Sequence, residues 1–133
     1  MPLKWLDHVT LRTANLEAMR GFYENVLGLS AGPRPPFSFN GSWLYWNGKA
    51  VVHLVETVTS PAVGDPRIEH FAFRAVGLQD FLAALKSNGV SYRTAIVPDL
   101  GLKQVHLADP DGNHVEVNFS PDEPMGSQNL GHS

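Results

Sequence analysis

Residues 6–12 read Leu-Asp-His-Val-Thr-Leu-Arg, and residues 68–74 read Ile-Glu-His-Phe-Ala-Phe-Arg. The two stretches share an apolar residue, a carboxylate, a histidine and a closing arginine in the same order. Each is followed by apolar residues at helical spacing, with Leu16 in one segment corresponding to Leu78 in the other. An internal repeat of this kind indicates that the chain contains two copies of one structural unit.

The polarity pattern of each copy predicts a strand, a helix and a closing hairpin. Asn47-Gly48 is a favoured two-residue hairpin turn, and Asp109-Pro110-Asp111-Gly112 is an equally strong turn signal in the second copy. The breaker-rich stretch 32–36 predicts a loop. The predicted elements are strands 5–12, 42–46 and 50–56 with a helix over 16–27 in the first copy, and strands 67–74, 103–108 and 113–119 with a helix over 78–85 in the second.

Each copy offers one polar position on its first strand and one on its last strand. Gly48 precedes the strand of His53 in the way that Gly112 precedes the strand of Glu116. Because side chains alternate along a strand, apolar neighbours pack on one face and leave these polar groups on the other. The repeat therefore selects four candidate positions: His8, His53, His70 and Glu116.

The composition narrows the class of protein. The chain has 133 residues, a hydrophobic fraction of 43% and a net charge of -3. This balance argues against a nucleic-acid partner, and no apolar run is long enough to span a membrane. There are no cysteines, so disulfides and thiolate metal sites are excluded and any metal must have nitrogen and oxygen ligands. A start unlike a signal peptide favours a cytoplasmic location.

Several motifs resemble a known superfamily. They are Phe-Tyr-Glu-Asn-Val-Leu-Gly-Leu at 22–29, Val-His-Leu-Val-Glu at 52–56 and Asp-Pro-Asp-Gly-Asn-His-Val-Glu at 109–116, together with the two repeat stretches. With these, residues 4–119 resemble the vicinal oxygen chelate superfamily, which includes glyoxalase I, bleomycin and fosfomycin resistance proteins and extradiol dioxygenases. The resemblance implies an α+β fold of two βαβββ modules. These form a cupped, mostly antiparallel sheet with helices on its outer face.

The resemblance also sets the expected organisation. We expect one domain over 1–133, with module 1 at about 4–58, module 2 at about 66–119 and a loose tail over 120–133. Members of this size are often homodimers, so a homodimer is expected here as well.

The resemblance further implies a divalent metal held by His8, His70 and Glu116. Two histidines and a carboxylate leave metal positions open, which suits Fe²⁺ binding both substrate and O₂. The same donors accept Zn²⁺, Ni²⁺ or Mn²⁺ as a Lewis acid. Such an ion polarises two adjacent oxygens of a small-molecule substrate.

His53 separates the reactions that this ligand set permits. In glyoxalases of the superfamily, the matching position supplies a fourth metal ligand. In extradiol dioxygenases, a histidine near this place acts as acid or base toward the substrate. The sequence favours Fe²⁺ dioxygenase-like chemistry on a catechol-type substrate. The alternatives are a glyoxalase I-like lyase or isomerase with Ni²⁺ or Zn²⁺, and a non-catalytic protein that binds a drug or metabolite.

Other residues carry weaker expectations. The resemblance makes His106 a candidate for contacting substrate, although a structural role is favoured for both His106 and His114. Aromatic residues follow the proline-rich loop and predict either a pocket wall or packing in the core or a dimer contact. They are Phe37, Phe39, Trp43, Tyr45 and Trp46.

Overall fold

The structure is a computed structural model that describes residues 2–62, 64 and 66–125. The chain divides into two compact units, Met1–Val63 and Gly64–Ser133. Neither of the two helices in the described part of the chain is long and apolar enough to cross a membrane. Each unit is built from one helix and one four-stranded sheet.

Unit 1 has the order strand, helix, strand, strand, strand. Its sheet has the strand order β1-β4-β3-β2. The β1–β4 pair is parallel, and the other two pairs are antiparallel. The elements are β1 (Val9–Thr13), α1 (Leu16–Asn25), β2 (Ser30–Gly32), β3 (Gly41–Trp46) and β4 (Lys49–Glu56).

Unit 2 repeats this arrangement. Its sheet has the order β5-β8-β7-β6, with a parallel β5–β8 pair and two antiparallel pairs. The βαβββ order and the α+β class that the resemblance implies are therefore confirmed in both units. The elements are β5 (Phe71–Arg74), α2 (Leu78–Ser87), β6 (Tyr92–Ile96), β7 (Lys103–Ala108) and β8 (His114–Phe119).

The strand register shows that the two units match at the candidate positions. Thr10 of β1 lies opposite His53 of β4, and Ala72 of β5 lies opposite Glu116 of β8. Thr10 and Ala72 each lie two residues after the histidine of the repeat. His53 and Glu116 therefore occupy equivalent places, as the sequence repeat predicts.

Each helix packs through apolar residues spaced three or four apart. Met19, Phe22 and Tyr23 are the buried residues of α1, and Leu78, Leu82 and Leu85 are those of α2. Asn47 and Gly48 both have positive φ, at 50° and 77°, as a tight hairpin turn between β3 and β4 requires. The apolar periodicity and the turn signals thus fix the elements that carry the candidate residues.

The structure corrects the predicted strand boundaries. β1 begins at Val9 and β5 at Phe71, so His8 and His70 lie one residue before their strands rather than on them. Two strands were not predicted, β2 and β6. All three residues of β2 are exposed, so no alternation marks this strand in the sequence.

The first residues of the predicted tail contact the helix and a strand of unit 2. The carboxylate of Glu123 accepts hydrogen bonds from the backbone N–H groups of Gly77 and Leu78, at 2.9 and 3.0 Å. Lys103 Nζ donates to the Glu123 carbonyl, and Met125 is buried. Glu123 therefore ties this segment to the start of α2, and residues 126–133 of the predicted tail lie outside the described residues.

Candidate metal centre

A carboxylate–histidine pair precedes the first strand of each unit. His8 Nδ1 donates to Asp7 Oδ2 at 2.8 Å in unit 1, and His70 Nδ1 donates to Glu69 Oε1 at 2.8 Å in unit 2. An ionised carboxylate only accepts hydrogen bonds, so Nδ1 carries the hydrogen in both rings. Nε2 of each ring is therefore the nitrogen available to a metal.

In unit 2, that nitrogen faces a buried carboxylate. Nε2 of His70 lies 3.3 Å from Oε1 of Glu116, and Glu116 is only 8% exposed. The other oxygen, Oε2, accepts a hydrogen bond from Asn118 Nδ2 at 2.7 Å. The parallel pairing of β5 with β8 produces this approach because it places Glu116 opposite the start of β5. Two of the three predicted metal ligands are thus in contact within one unit.

Two further histidines extend this cluster. His114 Nδ1 donates to Glu69 Oε2 at 2.6 Å, and His114 Nε2 lies 2.9 Å from His106 Nδ1. His106 Nδ1 in turn lies 3.9 Å from Glu116 Oε1. Donor atoms of Glu69, His70 and His114 all lie within 4.8 Å of one another, so this group is a second set that could hold a cation.

The environment shifts the pKa of two members of this cluster. Burial, followed by the nearby charge of Arg93, lowers the pKa of His106. Hydrogen bonds from His114 and then His70 lower the pKa of Glu69. Glu69 is therefore ionised and His106 is neutral near pH 7.

The equivalent place in unit 1 holds a stack of three rings. His53 lies between His8 and Trp43, with ring centroids 3.8 and 4.0 Å away and interplanar angles of 11° and 12°. Nε2 of His53 donates to the Ala50 carbonyl at 3.0 Å, so the lone pair of the neutral ring is on Nδ1. Burial and then the charge of His8 lower the pKa of His53, which keeps this ring neutral.

The predicted aromatic cluster is partly exposed. The rings of Phe37 and Phe39 stack with centroids 5.0 Å apart, and the Arg34 guanidinium lies 4.9 and 5.1 Å from their centroids. Phe37 and Phe39 are each 43% exposed, whereas Trp43 belongs to the ring stack of unit 1. Tyr45 donates to the Pro33 carbonyl. Only part of this cluster is therefore committed to packing within unit 1.

The structure thus groups His8 with His53 in unit 1, and His70 with Glu116 in unit 2. The sequence analysis did not identify Glu69 as a member of the cluster, and it predicted only a structural role for His114. The signal for Glu69 was present, because the repeat aligns it with Asp7 directly before the histidine. The contact of His114 with Glu69 spans 45 residues and leaves no local mark in the sequence.

Comparisons with known proteins agree with this architecture. The domain of a glyoxylase/bleomycin resistance protein/dioxygenase from Frankia sp. EAN1pec superposes with a TM-score of 0.75 at 18% identity, over 92% of this chain and 96% of that one. A lactoylglutathione lyase from Agrobacterium tumefaciens gives 0.69 at 21% identity, over 91% and 97%. At these identities the likeness shows the fold alone.

A third solved structure is more similar in sequence. It is an integron cassette protein from the mobile metagenome of the Halifax Harbour sewage outfall, with 28% identity and a TM-score of 0.69 over 88% of this chain and 99% of that one. No curated protein matches the chain. The family described as the Glyoxalase/Bleomycin resistance protein/Dioxygenase superfamily matches residues 5–117. The chain therefore belongs to the glyoxalase/bleomycin resistance protein/dioxygenase superfamily.

Proposed function

We propose that the protein is a metal-dependent enzyme whose divalent ion is held by His8, His70 and Glu116. The carrying observation is the approach of His70 Nε2 to Glu116 Oε1 at 3.3 Å. His70 Nδ1 donates to Glu69, so Nε2 is the nitrogen that faces the buried carboxylate. A cation between Nε2 and Oε1 would attract both groups.

The donor atoms fit a metal ion. Ligands bonded at about 2.1 Å and separated by a right angle lie about 3 Å apart, which is close to the His70–Glu116 separation. The hydrogen bond from Asn118 occupies one Glu116 oxygen and leaves the other for the cation. His8 has the same hydrogen on Nδ1 and the same free Nε2, as a third ligand requires.

When bound, the ion supplies a Lewis acid that polarises two adjacent oxygens of the substrate. The chain supplies the rest of the chemistry. Asp7 and Glu69 hold the ligand histidines in the required tautomer, and Asn118 holds the Glu116 carboxylate. His53, neutral and with its lone pair on Nδ1, removes a proton from a substrate hydroxyl.

The ring stack favours His53 as a base over His53 as a fourth ligand. The lone pair of an imidazole lies in the plane of its ring. The rings of His8 and His53 are nearly parallel and stacked at 3.8 Å, so one ion does not lie in both planes. A three-ligand set with a separate base supports Fe²⁺ dioxygenase-like chemistry on a catechol-type substrate.

Metal analysis of protein purified without oxygen or added metal tests the proposal, with His70→Ala as the matched variant. We expect near-stoichiometric iron in the wild type and its loss in the variant. Catechol should then drive O₂ consumption by the iron-loaded wild type. Failure to take up any divalent ion, in purification or reconstitution, would contradict the proposed centre and favour a non-catalytic binding protein.

A glyoxalase-like lyase is the second candidate. His53 occupies the position in unit 1 that Glu116 occupies in unit 2, so it is a fourth potential ligand. This equivalence favours the lyase. Turnover of a hemithioacetal by Ni²⁺- or Zn²⁺-loaded protein would support it. The absence of such turnover with both ions would remove it.

Mixing two inactive variants tests the proposed homodimer and the origin of His8. His8→Ala and His70→Ala are unfolded together and refolded as a mixture. Recovered activity shows that the ligands of one centre come from two chains, whereas no recovery shows that one chain supplies both.

A further inference from the structure

We propose that Glu69 is a shared positioning residue, which sets the tautomer of His70 with one carboxylate oxygen and that of His114 with the other. This inference rests on the proposed metal centre for its effect on metal binding. The geometry behind it does not, because both contacts are hydrogen bonds within unit 2. Oε1 accepts from His70 Nδ1 at 2.8 Å and Oε2 accepts from His114 Nδ1 at 2.6 Å.

Two arms of side chains lead from Glu69 toward Glu116 Oε1. One arm runs from Glu69 through His70 to Glu116 Oε1, with a last step of 3.3 Å. The other arm runs through His114 to His106, which lies 3.9 Å from the same oxygen. A carboxylate has acceptors on both oxygens, so both histidines keep their hydrogen on Nδ1 at once. Glu69 thereby sets the tautomers of the two histidines that begin these arms.

Unit 1 has a simpler version of this device. Asp7 Oδ2 accepts a hydrogen bond from one histidine, His8. His8 also stacks on His53, and His53 donates to the Ala50 carbonyl rather than to Asp7. One carboxylate thus serves one histidine in unit 1 and two in unit 2. The two acids differ in how many acceptors they must supply, and this difference makes the inference testable.

Replacing each acid with its amide separates the two cases. In Glu69→Gln the side chain has one acceptor oxygen and one donor NH₂, so it satisfies the Nδ1–H of only one histidine. Glu116 determines which histidine loses its Nδ1 hydrogen. When the hydrogen of His70 moves to Nε2, it is donated to Glu116 Oε1, so His70 is the ring that switches. In Asp7→Asn, the single amide oxygen still accepts from His8, so no ring changes.

The test uses the full chain, with ¹⁵N-detected histidine tautomers in metal-free protein and Co²⁺ titration of the same samples. We expect Nδ1–H on both His70 and His114 in the wild type, and a switch of His70 to Nε2–H in Glu69→Gln. Because Co²⁺ must then displace that hydrogen, its affinity should fall by about tenfold, the lower end of the range for residues that support a ligand. Asp7→Asn should retain its tautomers and lose less affinity.

Three outcomes decide between the explanations. Unchanged tautomers of both His70 and His114 in Glu69→Gln would overturn the inference. Two Co²⁺ equivalents in the wild type and one in Glu69→Gln would also overturn it, because Glu69 would then be a ligand itself. If His70→Ala binds Co²⁺ as the wild type does, the proposed metal centre fails, yet the tautomer switch in Glu69→Gln still establishes the role of Glu69.

Discussion

Units 1 and 2 share one scaffold and carry different chemistry at equivalent positions. In unit 1, β3 and β4 place Trp43 opposite His53, and the rings stack on His8. In unit 2, β7 and β8 place His106 opposite Glu116, and this pair joins His70. The register is the same, but one unit has an aromatic stack and the other has an ionic cluster.

The difference shows what the duplicated fold does and does not determine. Strand pairing brings the same positions together in both units, because Trp43 lies opposite His53 as His106 lies opposite Glu116. The identity of the side chains then decides whether the meeting point holds an ionic cluster or an aromatic stack. The fold therefore determines where in each unit these side chains meet, and the identity of the side chains determines which chemistry is possible there.

The largest effect on metal binding is expected at Glu116, the position of unit 2 whose counterpart in unit 1 is a histidine. Glu116→Gln removes the buried negative charge opposite His70 and should weaken Co²⁺ binding more than about 100-fold, beyond the loss expected for a supporting residue. His53→Gln changes the equivalent position of unit 1 and should leave Co²⁺ affinity close to that of the wild type. Titration of both variants measures the contrast. Equal losses would mean that His53 is also a ligand.

A smaller effect is expected from removing the proposed base, His53, while keeping an aromatic ring in the stack. His53→Phe keeps an aromatic ring between His8 and Trp43 and removes the Nδ1 acceptor. Turnover should fall by about 10²- to 10⁴-fold, the usual contribution of a general base, while the melting temperature stays nearly unchanged. Trp43→Phe is the matched control, because it alters the same stack and retains His53. If both variants lose the same activity, the stack rather than the base matters.

The acid limb of the pH profile should report His53. Burial lowers the pKa of His53, so the neutral form that acts as base persists below the ordinary histidine value of about 6.5. Activity should therefore rise with pH to a midpoint below that value and remain high through pH 7. The measurement is kcat/KM against pH for the wild type and His53→Phe. A limb that survives unchanged in the variant would assign it to another group.

The sequence predicted the equivalence of the units better than their boundaries. The aligned histidines and the glycines before the last strands identified His53 and Glu116 as counterparts, and the register confirms this. The strands β2 and β6 were missed. The three exposed residues of β2 do not alternate between apolar and polar. Its pairing with β3 depends on tertiary contacts, which strand propensity does not predict.

The candidate site was predictable only in part for a related reason. A repeat reveals residues that recur, and the acid before each histidine recurs as Asp7 and Glu69. The second bond of Glu69 depends on the rotamer of His114, a residue from β8. No spacing rule along the chain encodes such a contact. Networks of this type therefore need the folded structure to be seen.

The smallest effect concerns the starts of the two helices. The α2 helix receives the Glu123 carboxylate on two backbone N–H groups, whereas the N-cap of α1, Asn15, makes no such side-chain bond. Glu123→Gln removes the charge that these donors and the helix dipole stabilise, and should lower the melting temperature by several degrees at neutral pH. Asp122→Asn is the matched control, since it removes an exposed charge one residue away.

The pH dependence of that loss has a definite sign. Hydrogen bonds from Leu78 and then Gly77 lower the pKa of Glu123 in the folded protein. A carboxyl group with a depressed folded pKa stabilises the fold above its unfolded pKa, and this contribution is lost as the pH falls through the folded pKa. The difference in melting temperature between the wild type and Glu123→Gln should therefore shrink under acidic conditions. A difference that is constant with pH would show that the carboxylate charge has no part in holding residues 120–125 to α2.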